Sequence, residues 1–323
     1  MPEPASVSVI TTTYRRPGYL AEALDSIASQ TTRPKEVIVV NNDIATAGDV
    51  ARAVADHYPS ARVIDNPTNL GQSGSKNVGI KEASGPIIAI LDDDDRWDPR
   101  FLAAHVEAHQ DPAVQVVYSG HVVFWDDVPL APKEVLAPPP PTDVFSEMIR
   151  GRFTIATNSV LTFKKTALDA VGGYDTMLTG FLDWDLLCRV AQRGRFAHIP
   201  APLALFRMHL GVRDSDPSLR LAELGAVREK WSGYPAVERM IRRFTAEGFY
   251  NFSRNCGLRG DRAGARRYFG LYLRHLHPDS LDVSALLRLT ILVIVGRDLY
   301  CRLQRRSQWR RTKSETTMLP DDS

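Results

Sequence analysis

Residues 87–97 read Ile87-Ile88-Ala89-Ile90-Leu91-Asp92-Asp93-Asp94-Asp95-Arg96-Trp97, a short apolar run that ends in four consecutive carboxylates. A run of this length suits one buried strand. Four like charges at its end repel one another and disfavour folding unless a cation sits among them or most of them point into water. Such an oxygen-rich site suits hard divalent ions. Mg2+ and Mn2+ take one or two protein carboxylates and complete their shells with phosphate oxygens of a substrate. The stretch therefore reads as a metal-diphosphate site at the end of a strand.

Working upstream, Val7 to Thr11 is β-branched and runs into Thr12-Thr13-Tyr14-Arg15-Arg16. Pro17 suits a first helical turn, and Tyr19, Leu20, Ala23, Leu24 and Ile27 recur at helical spacing. Glu36 to Val40 reads as a second strand, closed by Asn41-Asn42-Asp43. A helical stretch near 47–57, a short strand at Arg62 to Ile64, and the loop Asn69 to Ser75 with a helix ending near Ala83 complete the pattern. Strand and helix alternate, which predicts a doubly wound α/β layer with a mostly parallel sheet flanked by helices. Ligands bind such sheets beyond the carboxyl ends of the strands. Thr12/Thr13, Asn41 to Asp43 and Asp92 to Asp95 each follow a strand, so they should line one crevice.

Two nucleotide motifs are excluded. No G-x-G-x-x-G follows the first strand, and Gly71-Gln72-Ser73-Gly74-Ser75-Lys76 lacks the order of a P-loop. The Gly71/Gly74 segment can turn backbone N–H groups toward a phosphate or ribose, or it can simply lead into a helix. Downstream, Asp98-Pro99 reads as a cap and first turn, with Phe101, Leu102, His105 and Val106 on one face of the helix. Val114 to Tyr118 and His121 to Trp125 read as two strands, and the prolines of Ala137 to Pro141 mark a surface loop. Asp183 opens a helix whose buried face carries Leu186, Leu187 and Val190. A helix cap and a functional carboxylate are both open readings there.

The chain has 323 residues, 44% hydrophobic and 24% charged, with a net charge of +2. That length suggests more than one core, and the small charge gives no reason to invoke nucleic acid. Cys188, Cys256 and Cys301 are far apart with no zinc-like spacing, which fits a reducing cytoplasm. Met1 to Ser6 carries an acid rather than a basic leader, so no signal peptide is expected.

Taken together these pieces resemble the family 2 glycosyltransferases, with their GT-A fold. The matching residues are Val7 to Arg16, Val37 to Asn42, Asn69-Leu70-Gly71 with Lys76-Asn77 and Gly79, and Leu91 to Trp97. Gly172-Gly173-Tyr174-Asp175, Asp183-Trp184-Asp185-Leu186 and Phe206-Arg207-Met208-His209 continue the match in order, over roughly 5–212. The resemblance implies a nucleoside-diphosphate-sugar donor of UDP or dTDP type lying across the strand ends. Thr12 and Tyr14 would flank the base and Asn41 would meet its imide edge, with Gly71 and Lys76 in the same donor-binding set. Asp92 and Asp94 match the DXD acids, Asp94 as ligand of Mg2+ or Mn2+ and Asp92 or Asp93 nearer the ribose. Arg207 and His209 would approach the diphosphate or the metal, and Asp183 matches the catalytic base of an inverting reaction. The family often has Asp where Asn41 stands and Glu where Leu182 stands.

The expected organisation is a transferase domain over 1–212, a helical appendage over 213–313 and a disordered tail over 314–323. In the appendage, Leu219, Leu221, Leu224 and Val227, then Val237, Met240, Ile241 and Phe244, then Tyr268, Leu271, Tyr272 and His275 recur at helical spacing. Leu286 to Val295 is apolar apart from Arg288 and Thr290 and precedes Arg297, Arg302, Arg305, Arg306, Arg310, Arg311 and Lys313, a pattern that suits an anionic membrane surface. A packed helix with a solvated basic tail fits the same residues. The expected function is sugar transfer to a glycan, lipid-linked or small-molecule hydroxyl in cell-surface (cell-wall or polysaccharide) synthesis, by a cytoplasmic enzyme peripheral to the inner membrane face. A metal-dependent nucleotidyltransferase and a non-catalytic nucleotide-sugar-binding or assembly protein are the rivals. Neither gives Asp183 a role.

Overall fold

The computed structural model describes residues 5–126, 130–209, 217–276, 283–297 and 299–302. The basic residues beyond Arg302 and the tail 314–323 lie outside the described residues, as does the extreme N-terminus. The chain forms two compact units. The first comprises Met1–Val123, Glu134–Arg207 and Glu229–Tyr234, and the second comprises Phe124–Lys133, Met208–Arg228 and Pro235–Ser323.

The first unit opens with β1 (Ala5–Thr13), α1 (Pro17–Ala28), β2 (Pro34–Asn41), α2 (Ala47–His57), β3 (Arg62–Asp65), α3 (Gly71–Glu82) and β4 (Ile87–Asp92). Then come β5 (Arg96–Trp97), α4 (Phe101–Ala108), β6 (Val114–Trp125), β7 (Lys133–Val135), α5 (Val144–Ile149), β8 (Leu161–Lys164), α6 (Lys165–Val171), α7 (Leu182–Ala191) and β9 (Arg195–Met208). The sheet order is β3-β2-β1-β4-β8-β6-β9-β5, with β7 paired to β6. The β3-β2-β1-β4 half is parallel. The β4–β8, β8–β6 and β9–β5 pairs are antiparallel. Strands of the parallel half read as continuous hydrophobic runs because both faces are covered: Val37 to Val40 and Ile88 to Leu91 are fully buried. Pro17 starts α1, and Leu20, Ala23, Leu24 and Ile27 form its buried stripe.

Two expectations differ in detail from this architecture, and one strand is not anticipated by the sequence. The segment 71–75 is helical, since α3 begins at Gly71 in a left-handed turn of φ 67°. The helix sits hard against β1 at Gly79, where a Cβ would lie 2.4 Å from Ile10 Cγ2. Val114 to Trp125 is one strand rather than two. Gly120 does not break it, because the carbonyls of Val135 and Pro200 crowd the place a side chain would need, 2.6 and 2.7 Å from an ideal Cβ. Finally, β9 carries no strong periodic signal in the sequence, yet it supplies an interior strand of the sheet.

The second unit contains α8 (Pro217–Lys230) as far as Arg228, α9 (Val237–Arg259), α10 (Arg262–His275) and α11 (Val283–Ile294). In α8 only Leu224 and Val227 of the four expected apolar positions are buried, while Leu219 and Leu221 are exposed. Phe249, Phe252, Leu258, Tyr268, Tyr272, Leu289 and Leu292 form a core shared by the last three helices. Gly257 lets α11 approach α9 closely, since a Cβ there would lie 2.7 Å from Leu292 Cγ. Gly260 ends α9 in the left-handed region and Asp261 caps α10 through Gly264 N–H.

Candidate active site

The parallel register brings the polar strand ends level: Thr13 lies opposite Asn41, and Thr12 opposite Asp92. Beyond Thr13 the chain turns through Arg15, at φ 58°. Its guanidinium lies 4.9 Å from the centre of the half-exposed Tyr14 ring and donates to Asp43 at 2.5 Å. Thr12 keeps partial exposure beside them. Asn41 is fully buried and its amide is committed within the protein: Nδ2 donates to Asp43 O and Asp65 Oδ1, while Oδ1 accepts from Asp43 N–H and the Thr46 hydroxyl. It thereby fixes the exposed Asp65 at the end of β3. Asn42, which the sequence reading left without a role, braces the next loop by donating to Asn69 Oδ1 at 2.7 Å and accepting from Leu70 N–H at 2.9 Å. Gly71 N–H is used by Asn69 Oδ1.

The four aspartates divide into a buried pair and an accessible pair. Asp93 and Asp95 are each 1% exposed. Asp93 accepts from the Thr13 hydroxyl at 2.7 Å and from Arg16 Nη2 at 2.5 Å. Burial nevertheless pushes its pKa up to about 7, Asp94 and Asp92 adding to what Arg16 and Thr13 oppose. Burial, with Asp92 and Asp94 close by, also holds Asp95 well above the carboxylate range. Asp92 and Asp94 retain 29% and 17% side-chain exposure and face Lys76 at 2.9 Å and Arg16 at 2.5 Å. The cluster folds because its inner members shed charge and its outer members keep water and a cationic neighbour.

Lys76 is 1% exposed, far more buried than a lysine in a Gly/Ser-rich stretch suggests. Burial alone would lower its pKa, but Asp92, then Asp183 and Asp94, outweigh it and raise the value. One buried ammonium thus answers to both the strand-end acids and Asp183. Asp183 lies in the first turn of α7 and is not its cap; Phe181, at φ 58°, holds that position. Asp183 Oδ1 accepts from Asn158 Nδ2 at 2.6 Å, and Asn158 Oδ1 accepts from the Tyr174 hydroxyl at 2.6 Å. The carboxylate keeps a partly accessible edge. Its pKa is raised, first by burial and then by Asp92, against the opposing Lys76 and Asn158. A raised pKa makes it a better proton acceptor for an alcohol than an ordinary aspartate.

Long-range contacts complete the site. Arg207 is 4% exposed, and its backbone N–H donates to Asp95 Oδ1 at 2.8 Å. Its guanidinium donates to Asp94 O and to Glu22, and lies 4.6 Å from the centre of the Tyr19 ring. Arg207 therefore pins β9 to the acidic loop. Asn77 exchanges two hydrogen bonds with the Tyr174 backbone, each at 2.8 Å. Gly173, at φ 69°, leaves room for the Asn77 amide. Asp185 is fully buried and held by Arg189 at 2.8 Å, Lys230 at 2.7 Å and the Trp231 indole at 3.0 Å. Trp97 and Trp184 are packed walls: Trp97 donates to Ser159 O and stacks on Phe101, and Trp184 meets Trp231 edge-on. Glu22, Asn158 and Lys230 carry no local sequence signal, since each acts on a partner distant in sequence. His209 belongs to the second unit.

The donor set suits a hard divalent ion. Asp92 and Asp94 offer accessible carboxylate oxygens, and such ions need only one or two protein ligands when phosphates supply others. Among the described residues no group of three or more His, Cys, Asp or Glu side chains is disposed as a metal cage.

Comparison with known proteins agrees with this geometry. A glycosyltransferase of Bacillus subtilis, YwdF, described as uncharacterized, is 29% identical over 235 residues, 70% of this chain and 81% of that one. The Pyrobaculum calidifontis mannosyltransferase PcManGT, solved with GDP-Man and Mn2+, superposes with a TM-score of 0.55 at 18% identity, covering 94% of this chain and 84% of that one. S. aureus TarS 1-349, solved with UDP-GlcNAc, superposes with a TM-score of 0.51 at 16% identity, covering 94% and 91%. The fold is that of the GT-A glycosyltransferases, and the protein is a glycosyltransferase. Residues 8–168 match the family described as Glycosyl transferase family 2.

Proposed function

We propose that the enzyme is an inverting glycosyltransferase that moves a sugar from a UDP- or dTDP-sugar to a hydroxyl acceptor. The observation that supports it most is the pairing of two accessible strand-end carboxylates with a separate, partly accessible Asp183, coupled through buried Lys76. Asp183 takes the acceptor proton as the acceptor oxygen bonds to the anomeric carbon. The bond from that carbon to the donor phosphate breaks, and its electron pair leaves on the nucleoside diphosphate. Asp92 and Asp94 would hold Mg2+ or Mn2+, which supplies charge stabilisation for the departing diphosphate. Thr12, Tyr14 and Gly71 are assigned to donor binding. Asn41, Asp93 and Arg207 act behind that surface, since each is buried and engaged with protein partners. With Asn41 engaged, the exposed Asp65 is the acceptor proposed for a uracil or thymine imide N–H.

The acceptor class proposed is a glycan, lipid-linked or small-molecule hydroxyl in cell-surface synthesis. Three buried free cysteines suit a cytoplasmic location. Among the described residues no helix is long and apolar enough to cross a membrane. The 286–313 region is proposed to bind an anionic membrane surface, because α11 exposes Val283, Leu287 and Ile294 and the sequence that follows is rich in arginine. The test is a turnover screen of UDP-, dTDP- and GDP-sugars with and without Mn2+, with the released product identified. Release of nucleoside diphosphate is expected. Pyrophosphate release, or donor binding without turnover under every acceptor, would overturn the reading.

A further inference from the structure

Arg16 stands between β1 and α1, at the cap position of α1, where its carbonyl accepts from Leu20 N–H at 3.1 Å. Its guanidinium spans two adjacent acids: Nη2 donates to Asp93 Oδ1 and Nη1 to Asp94 Oδ2, each at 2.5 Å. The two ends of this fork differ. Asp93 is 1% exposed and its other oxygen accepts from the Thr13 hydroxyl at 2.7 Å, so it is closed to an incoming ion. Asp94 keeps 17% of its side-chain surface and Arg16 keeps 41%. Arg16 is therefore anchored on a buried acid and reaches out to the one assigned above to the metal. The neighbouring Arg15 is turned elsewhere, onto Asp43 and the Tyr14 ring.

The two carboxylates assigned to the metal are each paired with a cation of the protein, Asp92 with Lys76 at 2.9 Å and Asp94 with Arg16. These cations are not alike, since Lys76 is 1% exposed while Arg16 has a solvent-facing side. A divalent ion at Asp94 meets the Arg16 charge across a single carboxylate, and like charges at that separation repel. A diphosphate carries enough negative charge to satisfy both, because guanidinium and divalent ions each pair well with phosphate oxygens. The geometry points to Arg16 as a counter-ion that competes with the divalent metal for Asp94, and so makes metal binding depend on the diphosphate of the donor. Arg16 acts here through Asp94 and is a positioning residue. The inference rests on the assignment of the metal to Asp92 and Asp94.

The experiment measures Mn2+ binding to the full chain by calorimetry, first without nucleotide and then with saturating UDP. In a competing equilibrium a charge-assisted pair of this exposure is worth about fivefold to tenfold in affinity. R16Q is expected to tighten Mn2+ binding without nucleotide by that factor. R16K keeps the charge but not the fork, and should fall between native and R16Q. UDP should tighten Mn2+ binding to the native protein, and by linkage this enhancement should shrink in R16Q. A native or weaker Mn2+ affinity in R16Q overturns the proposal, the weaker value marking Arg16 as a brace that holds Asp94 ready for the ion. If R16Q does not fold, R16K decides alone, and native affinity there overturns the proposal too. D94N separates this inference from the assignment beneath it. Mn2+ binding that survives D94N, or native protein that takes no Mn2+ even with UDP, sinks the metal assignment and the role of Arg16 with it. Loss of binding in D94N beside native affinity in R16Q and R16K sinks the role of Arg16 alone.

Discussion

Asp183→Asn is the substitution that separates proton transfer from every other task of the site. The amide is isosteric and still offers an oxygen to Asn158 Nδ2, now at 2.6 Å, and Asn158 stays anchored by the Tyr174 hydroxyl. Lys76 keeps Asp92 at 2.9 Å, so the strand-end acids retain their cationic neighbour. The change removes the proton acceptor and one negative charge whose burial already disfavours it. Stability should therefore shift by no more than about 1 kcal/mol. A positioned general base contributes about 10²–10⁴ in rate, equivalent to roughly 3–5 kcal/mol of transition-state stabilisation. The expected result is a kcat lowered at least about 100-fold, with donor affinity and melting temperature close to native. Initial rates read from released nucleoside diphosphate, beside calorimetric donor titration, make the comparison. A folded variant with kcat within about tenfold of native would refute the assignment of Asp183 as base. Loss of donor affinity in step with rate would instead make it a binding residue.

Lys76→Met removes the buried ammonium and leaves Asp92 and Asp183 without it; breaking a buried ion pair costs about 3–5 kcal/mol, and water access at Asp92 reduces this to roughly 2. Its thermal transition should fall by roughly 4–8 °C, and an unchanged transition would count against the charge balance described. Gly79→Ala places a methyl against Ile10 and should destabilise by about 1–3 kcal/mol in denaturant titration, non-additively with Ile10→Ala. His105 and His109 both contact the Thr162 hydroxyl at 3.0 Å. Burial holds His105 well below its ordinary value and lowers His109 to about 4. Below about pH 6.5 the unfolded chain takes up protons that the native state refuses, so stability falls as pH drops toward 4, by about 1.4 kcal/mol per unit for each histidine. Asp93, with its raised pKa, works in the opposite direction. His109→Gln should flatten the loss in melting temperature between pH 7 and 5, and an unaltered pH profile would dismiss the pair as its cause.

The sequence makes legible whatever is local. Val37 to Val40 and Ile87 to Leu91 declare themselves as buried strands by composition, and the polar residues that follow them mark where the sheet ends in a crevice. Asp183 is visible because the leucines of α7 set it at the start of a helix. What escapes is fixed by partners far along the chain. The antiparallel half of the sheet depends on β9, whose pairing of Leu205 with Arg96 spans more than a hundred residues and leaves no periodic trace. Lys76 looks like a surface residue until α3 is laid across the strand ends, where it becomes the most deeply enclosed cation of the site. Asn41 and Arg207 read as ligand contacts because their polarity is visible and their internal partners are not. Composition does not tell Asp93 and Asp95 from their neighbours; the difference lies in which way the loop turns after Asp92.

The return of residues 229–234 to the first unit changes where the catalytic part of the polypeptide ends. A fragment cut at residue 212, where the sequence motifs stop, would lack Lys230 and Trp231. It would leave the fully buried Asp185 with Arg189 as its charged neighbour, and would strip Trp184 and Phe145 of the indole they pack against. The minimal folding fragment is therefore longer than the motif-bearing one, and an excised transferase should extend past Tyr234.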